Sequence, residues 1–213
     1  MKTKIILIAL AFAFLYGCKK ESNKSENKDL TSQIMAFPRE PLNADEIKSL
    51  IHMREEEKLA HDVYYTLYGK WNETTFNNIS SSESTHANAV LTLLNKYELK
   101  DPASNNAIGV FNDSSLQKLY NELIDIGFSS KTDGFKVGAT IEDLDIYDLN
   151  IWNLKIDNQD IKFGYDNLNK GSRNHMRTFY TQLIGLGFTY QAQYITKEEL
   201  DIIINSPKET GGI

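Results

Sequence analysis

Four long stretches of this chain repeat apolar residues at spacings of three and four, the signature of helices with one buried face. The first runs through "IHMREEEKLAHDVYYTLYGKW", where Leu50, Met53, Glu57, Ala60, Tyr64, Leu67 and Trp71 share a face, with Asn43 or Asp45 as candidate cap. The second starts after Thr74 or Thr75 and carries Phe76, Ile79, Glu83, His86, Val90, Leu93 and Tyr97, and Asp101-Pro102 closes this hairpin. The third covers "DGFKVGATIEDLDIYDLNIW", with Phe135, Gly138 or Ala139, Glu142, Ile146 and Leu149 on one face. The fourth, "DIKFGYDNLNKGSRNHMRTFYTQLIGLGF", carries Ile161, Tyr165, Leu168, Ser172, His175, Phe179, Leu183 and Leu186. Gly171 inside it costs about 1 kcal/mol against Ala, which close helix approach would explain. "SSLQKLYNELIDIGF" supplies a shorter amphipathic piece, with Leu116, Leu119, Leu123 and Ile124. "TKEELDIIINSP" supplies a short closing helix whose start reads as a capping box of Thr196 and Glu199. No alternating pattern is long enough for a sheet. The expected class is all-α: four long helices with short extra helices in the central connection and at the C-terminus.

The N-terminus is of a different kind. Lys2 and Lys4 precede the apolar run "IILIALAFAFLY", which has signal-peptide length and is short for a membrane span. The run ends in "LYGC", which resembles a bacterial lipoprotein box. Residues 1–17 are therefore expected to be a lipoprotein signal peptide and Cys18 the lipidated first residue of the mature chain; an ordinary secretory signal or an uncleaved anchor is the alternative. Residues 18–42 are expected to form a tether, with "KKESNKSENKD" polar and lacking aromatic or β-branched residues. Residues 43–205 are the expected helical domain and 206–213 a C-terminal tail. The expected location is the cell envelope, lipid-anchored to a membrane outside the cytoplasm.

Cys18 is the only cysteine, so the chain can form no internal disulfide and no Cys-rich zinc or iron centre of its own. The formal charge is −6, and about −8 once Lys2 and Lys4 leave with the signal. The remaining Lys and Arg are scattered, which argues against a nucleic-acid partner.

Each long stripe carries an ionisable exception: Glu57, then Glu83 with His86, then Glu142, then His175. A charge in a core costs several kcal/mol unless it is paired or metal-bound. Glu83 and His86 stand at i and i+3 and reach one point from one helix. Carboxylate-bridged dimetal sites take a Glu from each of two helices and a Glu-x-x-His pair from each of two others. Here Glu57 and Glu142 are the single carboxylates, Glu83 and His86 the first pair, and His175 half of the second. Ser172 stands where the second Glu would be, so five strong ligands are expected, with Asp145, at i+3 from Glu142, as the candidate replacement. The cofactor expected is two divalent ions, iron or manganese. The competing reading is a metal-free hydrogen-bonded network in which Glu57 and Glu142 pair with His86, His175 or Arg54, Arg173 and Arg177. Tyr64 is a candidate beside the site, although core packing also accounts for it. Arg173 and Asn174 are candidates to orient ligands or bind a carboxylate. His52 and His61 read as surface or flanking groups, and Glu55 and Glu56 as a solvated face, with Glu56 within reach of the site if the helix is rotated.

The segments "REEEKLAHDVY", "NISSSESTH", "VGATIEDLDIYDL" and "GSRNHMR" together resemble the ferritin-like family known as domain of unknown function 2202, over about Glu46 to Ile204. The resemblance implies a ferritin-like four-helix bundle, distantly similar to rubrerythrin. In rubrerythrins the first-helix ligand Glu is followed three residues on by a small residue and seven on by Tyr; Glu57, Ala60 and Tyr64 fit. Glu83 and His86 match the second-helix pair. Rubrerythrins reduce peroxide with electrons from a Cys-ligated domain that this chain lacks, so a redox cycle here would need an external electron donor. The resemblance thus implies a rubrerythrin-like peroxidase or ferroxidase, in oxidative-stress defence or iron handling. The alternative function is a non-enzymatic envelope binding module with a metal-free buried cluster. Oligomeric state is left open.

Overall fold

The computed structural model describes residues 29–104 and 106–210, and these contain seven helices and no strand. Cys18 and the expected signal peptide lie outside the described residues. No described helix is long and apolar enough to cross a membrane.

Four long helices carry the fold: α2 (Ala44–Trp71), α3 (Thr74–Lys96), α5 (Lys131–Asn153) and α6 (Gln159–Gly185). Helix α2 packs along α3, and α5 along α6; α2 also meets α5, and α3 meets α6. Two seams therefore join the two hairpins. The shorter helices are α1 (Leu30–Ala36), α4 (Ser114–Gly127) and α7 (Lys197–Asn205). Helix α1 lies against α3 and α6, α4 against α2 and α5, and α7 against α6.

The starts follow local chemistry. Asn43 caps α2 in a reciprocal capping box: its side chain accepts from Glu46 N at 2.9 Å, and Glu46 Oε2 accepts from Asn43 N at 2.8 Å. Helix α3 begins at Thr74 with Glu73 in the cap position and no side-chain cap bond. Thr196 caps α7 by accepting from Glu199 N, but the Glu199 side chain accepts from Asn150 instead, so only half of the expected box forms.

The stripes sit where spacing puts them, with three differences. Leu50 through Leu67 on α2, and Phe76 through Tyr97 on α3, are buried, while Trp71 is half-buried and donates Nε1 to Gly127 O at 2.9 Å. Leu186 is exposed because α6 has ended before it. The third difference is at the N-terminal side, where residues 30–42 are not simple tether. Leu30 and Ile34 are buried on α1, and Lys96 Nζ donates to Ile34 O and Phe37 O at 3.0 Å each. Ordered packing thus begins before the expected boundary at 43. The tail is also engaged as far as Glu209, which accepts from Arg173 and Arg177.

Two apolar clusters fill the interior, one centred on Tyr64, Phe76, Phe135 and Phe179, the other on Leu50, Met53, Val90, Tyr165 and Leu168. Helices α5 and α6 approach closely at Gly138: a Cβ there would lie 2.5 Å from Cε1 of Phe179. The polar exceptions of the stripes occupy the level between the two apolar clusters.

Candidate metal centre

Ten buried polar atoms on seven side chains at this level have no hydrogen-bond partner: both oxygens of Glu56, Glu83 and Asp145, one each of Glu57 and Glu142, Nε2 of His86 and Nδ1 of His175. They come from all four long helices. Native interiors leave few such groups unsatisfied.

The contrast with the other buried acids is sharp. Glu46 accepts from Asn43, Asp157 and Asn158 backbone N–H groups. Glu55 accepts from Asn112 N at 2.6 Å and Asp113 N at 3.1 Å, pinning the loop before α4. Asp143 accepts from Tyr190 Oη and from the backbone of Gln193, Tyr194 and Ile195. Asp62 accepts from Lys58 and Gly109 N, and Asp160 from Tyr97 and Ile161 N. Those five carboxylates fasten loops and helix ends. The central ones, Glu56, Glu57, Glu83, Glu142 and Asp145, leave eight of their ten oxygens without a partner.

The central atoms are nonetheless close to one another. His86 Nδ1 lies 2.6 Å from Glu83 Oε2 and 3.2 Å from Glu57 Oε2. His175 Nδ1 lies 2.8 Å from Glu83 Oε1 and 3.5 Å from Glu142 Oε2. Of these four approaches only His86 to Glu57 has hydrogen-bond geometry. Side chains that crowd together without aligning donor to acceptor are arranged as ligands aimed at common points are. Two overlapping triads result, Glu57–Glu83–His86 and Glu83–Glu142–His175, each with one ligand atom per residue within 4.8 Å of the others. Glu83 belongs to both. The two imidazoles lie 5.4 Å apart between centroids.

Flanking groups set the orientation of the central side chains. Tyr64 Oη donates to Glu142 Oε1 at 2.6 Å and also lies 3.2 Å from Gly138 O. His175 Nε2 meets Ser82 Oγ at 3.0 Å, which turns Nδ1 toward Glu83. Ser172 supplies no ligand: its hydroxyl donates to Leu168 O at 3.2 Å, back along its own helix. Asp145 is fully buried, and the nearby acids Glu56, Glu57, Glu142 and Glu83 add to burial in raising it. Arg173 is not at the cluster; it pairs with Glu209 and Asn169. Arg177 pairs with Glu209 and the Ser206 region, Asn174 with Glu209 backbone, and Arg54 with Asp101. No arginine among the described residues neutralises the cluster.

The electrostatics follow. Five buried carboxyls, Glu56, Glu57, Glu83, Glu142 and Asp145, face two buried imidazoles, so with every carboxyl ionised even two imidazolium ions would leave excess negative charge. Burial is the main cause that raises Glu56, Glu57 and Asp145 above the usual carboxylate range, with neighbouring acids adding to it for Glu56 and Asp145. Burial and Glu83 push Glu142 up to about 7. Glu83 alone among the five is held below its usual value, because His175 and His86 outweigh its burial. Burial opposes charge on the histidines, but Glu83 and Glu57 raise His86 well above its usual value, and Glu83 and Glu142 raise His175 to about 9. Divalent ions at the two triads would supply the missing positive charge and satisfy the orphaned atoms, so the residues present fit such ions.

One expectation on α2 needs correction. Glu55 and Glu56 are not a solvated face; both are buried, because α4 and the loop before it cover one side of α2 and α5 another. His52 is half-buried at the α2–α5 seam beside Glu56 and Asp148, and His61 pairs with Asp62. The sequence alone did not single out Asp148; its position three residues after Asp145 on the same helix is the signal that could have found it.

At the opposite, α3–α6 seam a cleft of about 390 Å³ is lined by Asn78, Ser82, Asn174, His175, Lys208 and Glu209 among others. His175 is the one member of the two triads with measurable side-chain exposure, 10 % against 0 % for its partners.

Residues 46–207 match the family described as Uncharacterized protein domain (DUF2202). Uncharacterized protein MJ0754 of Methanocaldococcus jannaschii is 53% identical over 178 residues, covering 84% of this chain and 96% of that protein. The crystal structure of hypothetical protein MJ0754 from Methanococcus jannaschii matches with a TM-score of 0.81 at 53% identity, over 82% of this chain and 99% of the other.

Proposed function

This chain belongs to the DUF2202 family, and from that premise and the orphaned central cluster we propose that it is a ferritin-like metalloprotein binding two divalent ions, iron or manganese, for peroxide or O₂ chemistry or for iron handling. The observation that carries the reading is the pair of triads sharing Glu83, whose five buried side chains each leave at least one ligand atom without a hydrogen-bond partner. One ion would take Glu57, Glu83 and His86; the other would take Glu83, Glu142 and His175; Asp145 is the spare carboxylate in place of the one that Ser172 does not provide. The metal-free binding module is not favoured, since a network kept for its hydrogen bonds would not leave ten atoms without partners.

When bound, such ions supply Lewis acidity and electrons to an oxygen ligand. The chain's own residues do the rest. Glu83, common to both triads, would hold both ions. Tyr64 Oη keeps its proton, being raised well above the usual tyrosine value by burial and then by Glu142, and so stays a hydrogen-bond donor that orients Glu142. Ser82 orients His175. The α3–α6 cleft gives a small polar oxidant an approach to His175, while the apolar clusters above and below exclude bulk water. An external donor would return electrons.

The test is to reconstitute metal-free protein with Fe(II) or Mn(II) and follow peroxide loss with a chemical reductant present. Loaded wild type is expected to turn over peroxide, and Tyr64→Phe to do so at least about tenfold more slowly, the usual scale for losing a group that orients a ligand. Turnover unchanged by metal removal would sink the redox reading.

The proposal includes tethering through Cys18. Cys18→Ser is expected to release the protein from the membrane fraction; full retention of that variant would exclude a lipid anchor at this residue.

A further inference from the structure

A third set of metal-ligating side chains lies apart from the two triads, at the α2–α5 seam. His52 and Glu56, one turn apart on α2, face Asp148 on α5. His52 Nε2 is 3.3 Å from Asp148 Oδ2 and 3.5 Å from Glu56 Oε2, and the three residues offer ligand atoms within 4.8 Å of one another. They form a gradient of exposure: the side chains of His52 and Asp148 are 29% and 23% exposed, and that of Glu56 only 1%. Both Glu56 oxygens are buried and without a hydrogen-bond partner, although one points toward the exposed pair. Inward, Glu56 interacts with Asp145, whose two oxygens are equally unsatisfied and which stands one helical turn from Glu142. Among the described residues, the ion-pair partner of Glu56 and Asp148 is His52, and no lysine or arginine pairs with Glu56, Asp145 or Asp148.

We propose that His52, Glu56 and Asp148 form a partly exposed divalent-cation site that takes ions from solvent and passes them, through Glu56 and Asp145, to the buried pair of triads. Carboxylate and imidazole are the ligands that suit Fe(II), Mn(II) and Zn(II). A cation held at the rim exchanges its waters for these ligands stepwise, and each inward step offers an unsatisfied carboxylate. A mouth of one charge sign between low-dielectric walls also concentrates cations before they enter. Ions and small oxidants then have separate doors: the α2–α5 seam for the cation, the α3–α6 cleft for the oxygen species. This inference rests on the two-ion reading of the buried cluster.

The experiment is timed loading. Metal-free full-length wild type, His52→Gln and Asp148→Asn are mixed with Mn(II), quenched with chelator at intervals and desalted, and protein-bound manganese is measured. Both substitutions are conservative and at partly exposed positions, and circular dichroism checks that each variant folds. The proposal expects all three proteins to reach the same two ions per chain, with both variants slower by about tenfold, the low end of what a focusing site contributes. Wild-type rates in both variants would overturn the entry site while leaving the two-ion reading intact. Variants that end with fewer tightly held ions would overturn it differently, by making these residues part of the buried site itself. No stoichiometric uptake by wild type would remove the two-ion reading and the entry site with it.

Discussion

Glu83→Ala is expected to lose both metal ions, whereas His86→Ala and His175→Ala are each expected to lose one. The asymmetry comes from geometry: Glu83 is common to both triads, while each histidine belongs to a single one. Removing an outer group that only orients a ligand costs roughly 10–100-fold in affinity, so loss of a ligand itself should exceed about 100-fold. Metal analysis of purified, reconstituted variants reads the outcome directly. Glu57→Ala should resemble His86→Ala, and Glu142→Ala should resemble His175→Ala. Equal, partial losses in all five variants would mean that the ions do not sit in two triads bridged by Glu83.

The second large effect is on stability, and its sign depends on pH. Glu142, with a folded value near 7 against 4.5, holds a proton in the metal-free fold that the unfolded chain has released between those values. His175, near 9 against 6.5, does the same over the next interval. Glu56, Glu57, Asp145 and His86 are shifted upward too and act in the same sense. A folded state that binds more protons loses stability as pH rises. The stabilisation from these groups is therefore complete below their unfolded values and is lost as pH climbs from about 4.5 toward 9. Glu83, shifted downward, acts oppositely, but only below about 4.5.

Metal reverses the trend, because ligands must shed protons to bind it. At pH 8, a free ion concentration about 1,000-fold above its dissociation constant should add about 4 kcal/mol per site. For a domain of this size that is roughly 8–16 °C per site. Thermal unfolding of metal-free and Mn(II)-loaded protein from pH 5 to 9 tests this. The metal-free Tm should fall with pH and the gap to the loaded protein should widen. A metal-free Tm that rises across this range would contradict the protonation pattern of the cluster.

How much of this was legible in the sequence varies with what hides each residue. The four stripes place Glu57, Glu83, His86, Glu142 and His175 inward because each is flanked by large apolar residues at helical spacing, and packing then brings them to one level. Glu55 and Glu56 were misread for the opposite reason. The run Glu55-Glu56-Glu57 looks like a charged outer face, but α2 is covered by α3, α4 and α5, so its buried surface extends well beyond the apolar stripe. Nor does periodicity distinguish a carboxylate that fastens a loop from one left open for a cation. Glu46 and Asp143 are as buried as Glu83, and the donors that reach them, most of them from residues tens to more than a hundred positions away, set them apart. The role of Ser172 was half visible: a hydroxyl is a poor ligand beside carboxylates, but its bond to Leu168 O required the backbone. Arg173 and Arg177 lie within two residues of His175 in sequence and yet serve Glu209, because successive positions on a helix face different directions.

The most direct measurement is an anomalous difference map from crystals of the full chain loaded with Mn(II). The account predicts two peaks on either side of the Glu83 carboxylate, one ringed by Glu57 and His86, the other by Glu142 and His175. A fully loaded crystal with no peak within the four long helices, and with Glu83 instead hydrogen-bonded to protein or water, would contradict it.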